Sequence, residues 1–206
     1  MSKLLLVRHG HVEGIAPERF RGREDVPLSE LGQRQARATA MRIAADWGAS
    51  AVYTSPLQRC MQTGAAIASA CNAPSRYLDD LVDLDYGTWQ WRTFDDVRKQ
   101  APQEFATWLK TPEWTRFPQG ESLSDLSARV TDALRWIRER HPTETVIVVG
   151  HDSGNRALLL QLLGLPLSAY WRLSQHPCGI SEIDIAGNEV RILRVNETHH
   201  LRWALP

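Results

Sequence analysis

The sequence predicts an α/β fold: a three-layer αβα sandwich on a mostly parallel mixed sheet, with a small helical cap insertion. Three observations predict it. Short apolar runs alternate with helical stretches from residue 4 to residue 163. Two of those runs, 4–7 and 146–149, end alike, in Arg8-His9-Gly10 and Gly150-His151. Two later runs, 180–185 and 190–195, flank Gly187-Asn188, the pattern of a hairpin that makes the sheet mixed.

The elements follow in order. Residues 4–7 read as a buried strand, followed by a loop marked by Gly14, Pro17, Gly22 and Pro27. Ser29 is placed to cap a helix over 30–47 that stops at Gly48. Residues 51–54 make a second strand, and 57–71 an alanine-rich helix. Residues 77–84 suggest a strand breaking into a loop. The stretch 89–120 holds Trp89, Trp91, Trp108 and Trp114 among three prolines, and reads as short helices and turns forming the cap, with the tryptophans packed inside it. In 122–141, Leu123, Leu126, Val130, Leu134 and Ile137 recur at helical steps behind a Ser122/Asp125 capping box. Strand 145–149 and helix 153–163 follow, the helix stopped by Gly164 and Pro166. His199 and His200 read as a solvated feature of the C-terminal stretch.

The chain has 206 residues, which suits one domain, 1–206, with the insertion at about 89–120. The formal net charge is zero, so overall charge does not suggest a nucleic-acid partner, although a local cationic pocket is compatible with it. No apolar run approaches the roughly 20 residues that span a bilayer, and the first run is too short for a signal-peptide core. Three cysteines without CxxC spacing fit a cytoplasmic protein with reduced thiols. The oligomeric state is left open.

Function gathers at strand ends. Parallel neighbouring strands would bring His9 and His151 to one sheet edge, and the segment Thr54-Ser55-Pro56-Leu57-Gln58-Arg59 would bring an arginine there. Two histidines with Arg8 and Arg59 make a cationic pocket sized for a phosphoryl group. A neutral His9 can attack phosphorus, the guanidiniums match the equatorial oxygens, and His151 adds a donor. A carboxylic acid must protonate the leaving alkoxide, and no metal is needed where guanidiniums carry the charge.

In this pattern the chain resembles the histidine phosphatase superfamily, in its phosphoglycerate-mutase-like branch. The resemblance runs through LVRHG (6–10), RFRGREDVPLSELGQRQA (19–36), YTSPLQRCMQT (53–63), DLDYGTW (83–89), GES (120–122), VVGH (148–151) and NETHHL (196–201). It implies a nucleophilic His9, a phosphate pocket of Arg8, Arg59 and His151, and an acid/base carboxylate at Asp83. It implies no cofactor, and a small phosphorylated metabolite as partner. The family usually has glutamate at the acid position, so aspartate reaches one methylene less far; Asp80, Asp85 and Glu121 are other carboxylates nearby. The family's Trp-Asn pair after the RHG segment is replaced by Gly14-Ile15, and Arg21 stands where glutamine is common. Arg21, Gly22 and Asp152 are candidate substrate contacts.

Other readings have less behind them. A serine hydrolase would need G-x-S-x-G, but Ser153 stands one place late in Gly150-His151-Asp152-Ser153-Gly154. No HExxH pair marks a metallohydrolase. A non-catalytic phosphate-binding protein on this fold is the alternative from another class. A mutase of this family usually carries cations after its acid, where this chain has Asp85-Tyr86-Gly87-Thr88-Trp89. The expected activity is therefore a metal-independent phosphatase of small phosphomonoesters.

Overall fold

Side chains of a strand point alternately to its two faces, and the first strand, β1 (Ser2–Arg8), buries both. Leu4 and Leu6 pack on one side with Tyr53, Val146 and Val148. Leu5 and Val7 pack on the other with Val52, Ile147 and Val149. Each such side chain contributes about 1.5–3 kcal/mol by leaving water, so a sheet apolar on both faces demands a helical layer on each. The computed structural model, which describes residues 1–13, 15, 17–187 and 189–203, supplies both layers. Gly14 of the first loop and Asn188 of the hairpin turn lie outside the described residues.

One layer is α1 (Glu30–Asp46) and α2 (Gln58–Cys71), which cover Leu5 and Val7 with Ala40, Ile43, Cys60 and Ile67. The other is α5 (Leu123–Arg140) and α6 (Asp152–Leu163), which cover Leu4 and Leu6 with Val130, Leu134, Leu158 and Leu159. Ser29 caps α1 by accepting from the Gly32 N–H, and the Ser122/Asp125 capping box starts α5. Between the layers run β2 (Ala51–Thr54), β3 (Ser75–Tyr77), β4 (Thr145–Gly150), β5 (Ile180–Ala186) and β6 (Glu189–Glu197), in the order β3-β2-β4-β1-β5-β6. The first four strands of that order are parallel, while β5 and β6 are antiparallel, so the sheet is mixed.

The segment between β3 and α5 forms α3 (Phe94–Gln100), α4 (Pro102–Lys110) and 3-10 turns. Trp89 and Trp108 are buried and join the cluster of α5 and α6. Trp91 and Trp114 depart from the expectation of cap packing, since Trp114 is 77% exposed and Trp91 is also exposed. His200 likewise departs from the solvated reading. It lies in a 3-10 turn, His199–Trp203, with its ring Nε2 3.0 Å from Thr39 Oγ1 on α1. No helix among the described residues is long and apolar enough to cross a membrane.

Candidate active site

Register brings the chemistry together. Arg8 on β1 stands opposite Gly150 on β4, so His9 and His151 leave adjacent strands at the same level, and the His9 N–H donates to the Gly150 carbonyl at 3.0 Å. Thr54 stands opposite Val149, which sets Ser55 and the start of α2 at the same edge. The two imidazoles meet edge to face, 5.3 Å between ring centres.

Each ring's tautomer follows from its partners. His9 Nδ1 lies 2.7 Å from the Gly10 carbonyl. A carbonyl only accepts, so Nδ1 holds the proton and Nε2 carries the lone pair. His9 is 1% exposed and lines a cleft of about 280 Å³. Burial, then the charges of Arg59, His151 and Arg8, hold its pKa well below the ordinary 6.5, so the ring is neutral at pH 7. His151 is held down in the same way by burial and by Arg59 and Arg8. It accepts from Arg59 Nε at Nδ1 (3.3 Å), so its Nε2–H donates to Ser55 Oγ (2.8 Å).

The segment after β1 is fixed by backbone crowding. A Cβ on Gly10 would lie 2.6 Å from the Gly32 carbonyl oxygen, and one on Gly32 would lie 2.0 Å from that of His11. Two glycines are therefore required where the loop crosses the first turn of α1. The Gly10 N–H donates to Thr63 Oγ1 (3.1 Å), whose hydroxyl donates to the Arg59 carbonyl (2.8 Å). Cys60, beside Arg59, has Sγ 3.5 Å from His151 Nε2, and burial pushes its thiol up to about 12.

The predicted residues fall into two shells. Arg8, His9, Arg21, Gly22, Asp83 and Asp152 line the cleft. Arg59 and His151 lie beneath it. Arg59 is fully buried and donates to the carbonyls of Glu24 (2.6 Å) and Gly22 (2.7 Å), holding the loop on which Gly22 sits at φ +49°. Asp83 Oδ2 sits between this lower pair, 3.4 Å from Arg59 Nη2 and 3.6 Å from His151 Nδ1. Arg21 feels Arg8, Asp83 and Arg59; burial lowers its pKa first, then Arg8. The other carboxylates raised by the sequence lie outside the cleft, although Glu18 joins its lining. Glu121 pairs with Arg129 (2.6 Å) and accepts from the Asp85 N–H (2.9 Å), and none of Asp80, Asp85 and Glu121 lines the cleft.

Some participants escape sequence reading. Ser55 and Thr63 stand in the quoted YTSPLQRCMQT segment, but nothing in their type marks a role. Arg129 donates to the carbonyls of Asp80 (2.8 Å), Val82 (2.6 Å) and Asp83 (3.0 Å), so a residue of α5 holds the loop that carries Asp83. Arg156 lines the cleft one helical turn after Asp152, a spacing that could have exposed it. Among the described residues no three His, Cys, Asp or Glu side chains are grouped to hold a metal ion.

Residues 4–198 match the model of a family described as the histidine phosphatase superfamily, branch 1. The chain belongs to that family. Phosphoserine phosphatase 1 of Hydrogenobacter thermophilus is 34% identical over 201 residues, covering 98% of this chain and 95% of the relative. The "Probable phosphoglycerate mutase GpmB" of Yersinia pestis is 33% identical over 184 residues, covering 89% and 85%. Among solved structures, YhfR of Bacillus stearothermophilus superposes with a TM-score of 0.92 at 25% identity, covering 98% of this chain and all of that one. In this histidine phosphatase, Asp152 and Arg156 pair at 3.1 Å and both line the cleft.

Proposed function

We propose that the chain hydrolyses small phosphomonoesters through a phosphohistidine on His9. The observation that carries this reading is the neutral His9 ring, its Nδ1 proton held by the Gly10 carbonyl and its lone pair at Nε2 in a cationic cleft. In the first step Nε2 attacks phosphorus and the bond to the alcohol oxygen breaks. Arg8 and Arg21 receive the phosphoryl oxygens from the cleft side. Arg59 Nη2 receives an oxygen at the place Asp83 Oδ2 now occupies, while His151 Nδ1 holds Arg59 Nε in place, and this frees Asp83 to turn toward the leaving oxygen and give it a proton. In the second step the Asp83 carboxylate takes a proton from water, the water oxygen bonds to phosphorus, and the phosphorus–nitrogen bond breaks to return neutral His9 and phosphate. Neither metal nor cofactor takes part.

Residues of about 89–120 act as a cap, with Phe94 and Trp108 supplying part of the cleft wall. Gly22 shapes the wall through its carbonyl bond to Arg59. Hydrolysis is favoured over mutase action because the segment after Asp83 carries no cation to return the phosphoryl group to an acidic alcohol. The proposed place of work is the cytoplasm, where Cys60, Cys71 and Cys178 stay reduced.

Acid quench during turnover of p-nitrophenyl phosphate should trap an acid-labile phosphoenzyme, and His9→Ala should abolish both the label and the turnover, with EDTA without effect. Turnover that survives in His9→Ala would sink the mechanism. Phosphate binding without turnover in the unmutated chain would favour the non-catalytic alternative.

A further inference from the structure

The cleft contains a charged pair that phosphoryl transfer does not use. Asp152 opens α6 directly after His151, and Arg156 follows one turn later on the same face. Asp152 Oδ1 lies 3.1 Å from Arg156 Nε and 4.0 Å from Arg8 Nη1. One carboxylate thus stands between the phosphate-side arginine and a second arginine further along the wall.

Arg156 is firmly placed. Its guanidinium lies 5.1 Å from the ring centres of both Tyr170 and Trp171, and Nη1 donates to the Tyr170 carbonyl at 3.3 Å. Nη2 makes no hydrogen bond among the described residues. Trp171 keeps 37% exposure and lines the cleft with Arg156, so this wall offers the substrate a cation beside an aromatic ring. Phe94 and Tyr86 also line the cleft, while Trp108 is 1% exposed and contributes little surface.

We infer that Asp152 and Arg156 read a zwitterion, and that the alcohol half of the substrate is an α-amino acid, so that the substrate is an O-phosphorylated amino acid. This rests on the phosphatase reading above. Once the phosphoryl group occupies Arg8 and Arg21, Asp152 and Arg156 present one anion beside one cation, and the other charged residues of the lining outside the phosphoryl machinery, Glu18 and Arg19, are likewise one of each sign. A substrate carboxylate accepts from Arg156 Nη2, whose Nε stays on Asp152, and the substrate ammonium bonds to Asp152. A carboxylate without the ammonium meets Asp152 as a like charge, and an ammonium without the carboxylate leaves Arg156 unmatched. The pair therefore selects for both groups together, and rejects the hydroxy acid and the simple amine.

The test is a matrix of four substrates: phosphoserine carries both groups, 3-phosphoglycerate the carboxylate, phosphoethanolamine the ammonium, and glycerol 3-phosphate neither. The unmutated protein should show its highest kcat/KM on phosphoserine. In Arg156→Gln the phosphoserine to glycerol 3-phosphate ratio should fall by about 10- to 100-fold, the usual scale for losing a charged hydrogen-bond partner in a site. In Asp152→Asn the phosphoserine to 3-phosphoglycerate ratio should fall by a similar factor. If Arg156→Gln does not fold, the same ratio is read in Arg156→Lys, which keeps charge and stem but loses the planar fork.

Equal losses on all four substrates would make the pair a structural one and overturn the inference. So would a preference of the unmutated protein for 3-phosphoglycerate over phosphoserine. Failure of the underlying phosphatase reading shows differently, as glycerol 3-phosphate turnover that persists in His9→Ala.

Discussion

Arg129→Leu removes the clamp that holds the loop carrying Asp83, the proposed acid. The guanidinium serves three carbonyls of residues 80–83 and both oxygens of Glu121, and the pair is mostly buried, with side chains 17% and 13% exposed. Breaking a buried ion pair by removing one partner costs about 3–5 kcal/mol. Glu121 keeps the Asp85 N–H at 2.9 Å and Arg23 at 3.6 Å, and the Asp80 carbonyl can turn to water. The net expectation is therefore a loss of about 2–4 kcal/mol in urea unfolding at pH 7. Catalysis adds a second readout. A catalytic group displaced by about 1 Å loses on the order of 100-fold in rate, but only where its role is needed. Turnover of an alkyl phosphate, whose leaving oxygen must be protonated, should fall about 10- to 100-fold more than that of p-nitrophenyl phosphate, whose leaving group needs little protonation. Arg129→Lys should not restore the ratio, because an ammonium cannot fork across three carbonyls. If Arg129→Leu loses stability yet keeps the alkyl to aryl ratio of the unmutated protein, Arg129 does not position Asp83.

Two further expectations concern the same edge of the sheet. His9 and His151 are held below the ordinary histidine range, so the unfolded chain takes up protons near pH 6.5 while the folded chain does not. Their stabilisation is complete above pH 6.5 and declines as pH falls toward the lower folded values, by up to about 1.4 kcal/mol per unit for each ring. NMR titration should find both rings neutral at pH 6, and titration of both at 6.5 would refute this. Thr63→Val keeps the shape of the side chain but strips the buried Gly10 N–H of its acceptor, so unfolding should cost about 1–3 kcal/mol less, with a change under about 0.5 kcal/mol counting against the contact.

The parts of the fold that are legible in the sequence are those where burial imposes a pattern. β1 and β4 are apolar on both faces, and their polar ends stand out against them. β3 is a three-residue edge strand, exposed throughout, that pairs only with β2. It has no apolar run to announce it, and 77–84 reads ambiguously for that reason. The 3-10 turn at Leu167–Arg172, which brings Tyr170 and Trp171 beside Arg156, carries no periodic signal at all. At the site, Arg8 and His9 are legible because a charge directly after a core strand needs a reason. The layering of Arg59 beneath Asp83 is not, because it depends on which carbonyls of a distant loop the guanidinium meets. Arg129 is hidden for the same reason: its partners lie 46 to 49 residues away in the chain.

Cys60 lies against His151, a position from which a reactive thiol could stall the reaction on encountering an oxidant or alkylating agent. With its proton held up to about 12, on the order of one molecule in 100,000 carries the thiolate at pH 7. The side chain is also closed to solvent. Turnover through the imidazole proposed above should therefore persist under peroxide or iodoacetamide at doses that stop a phosphatase relying on a cysteine nucleophile.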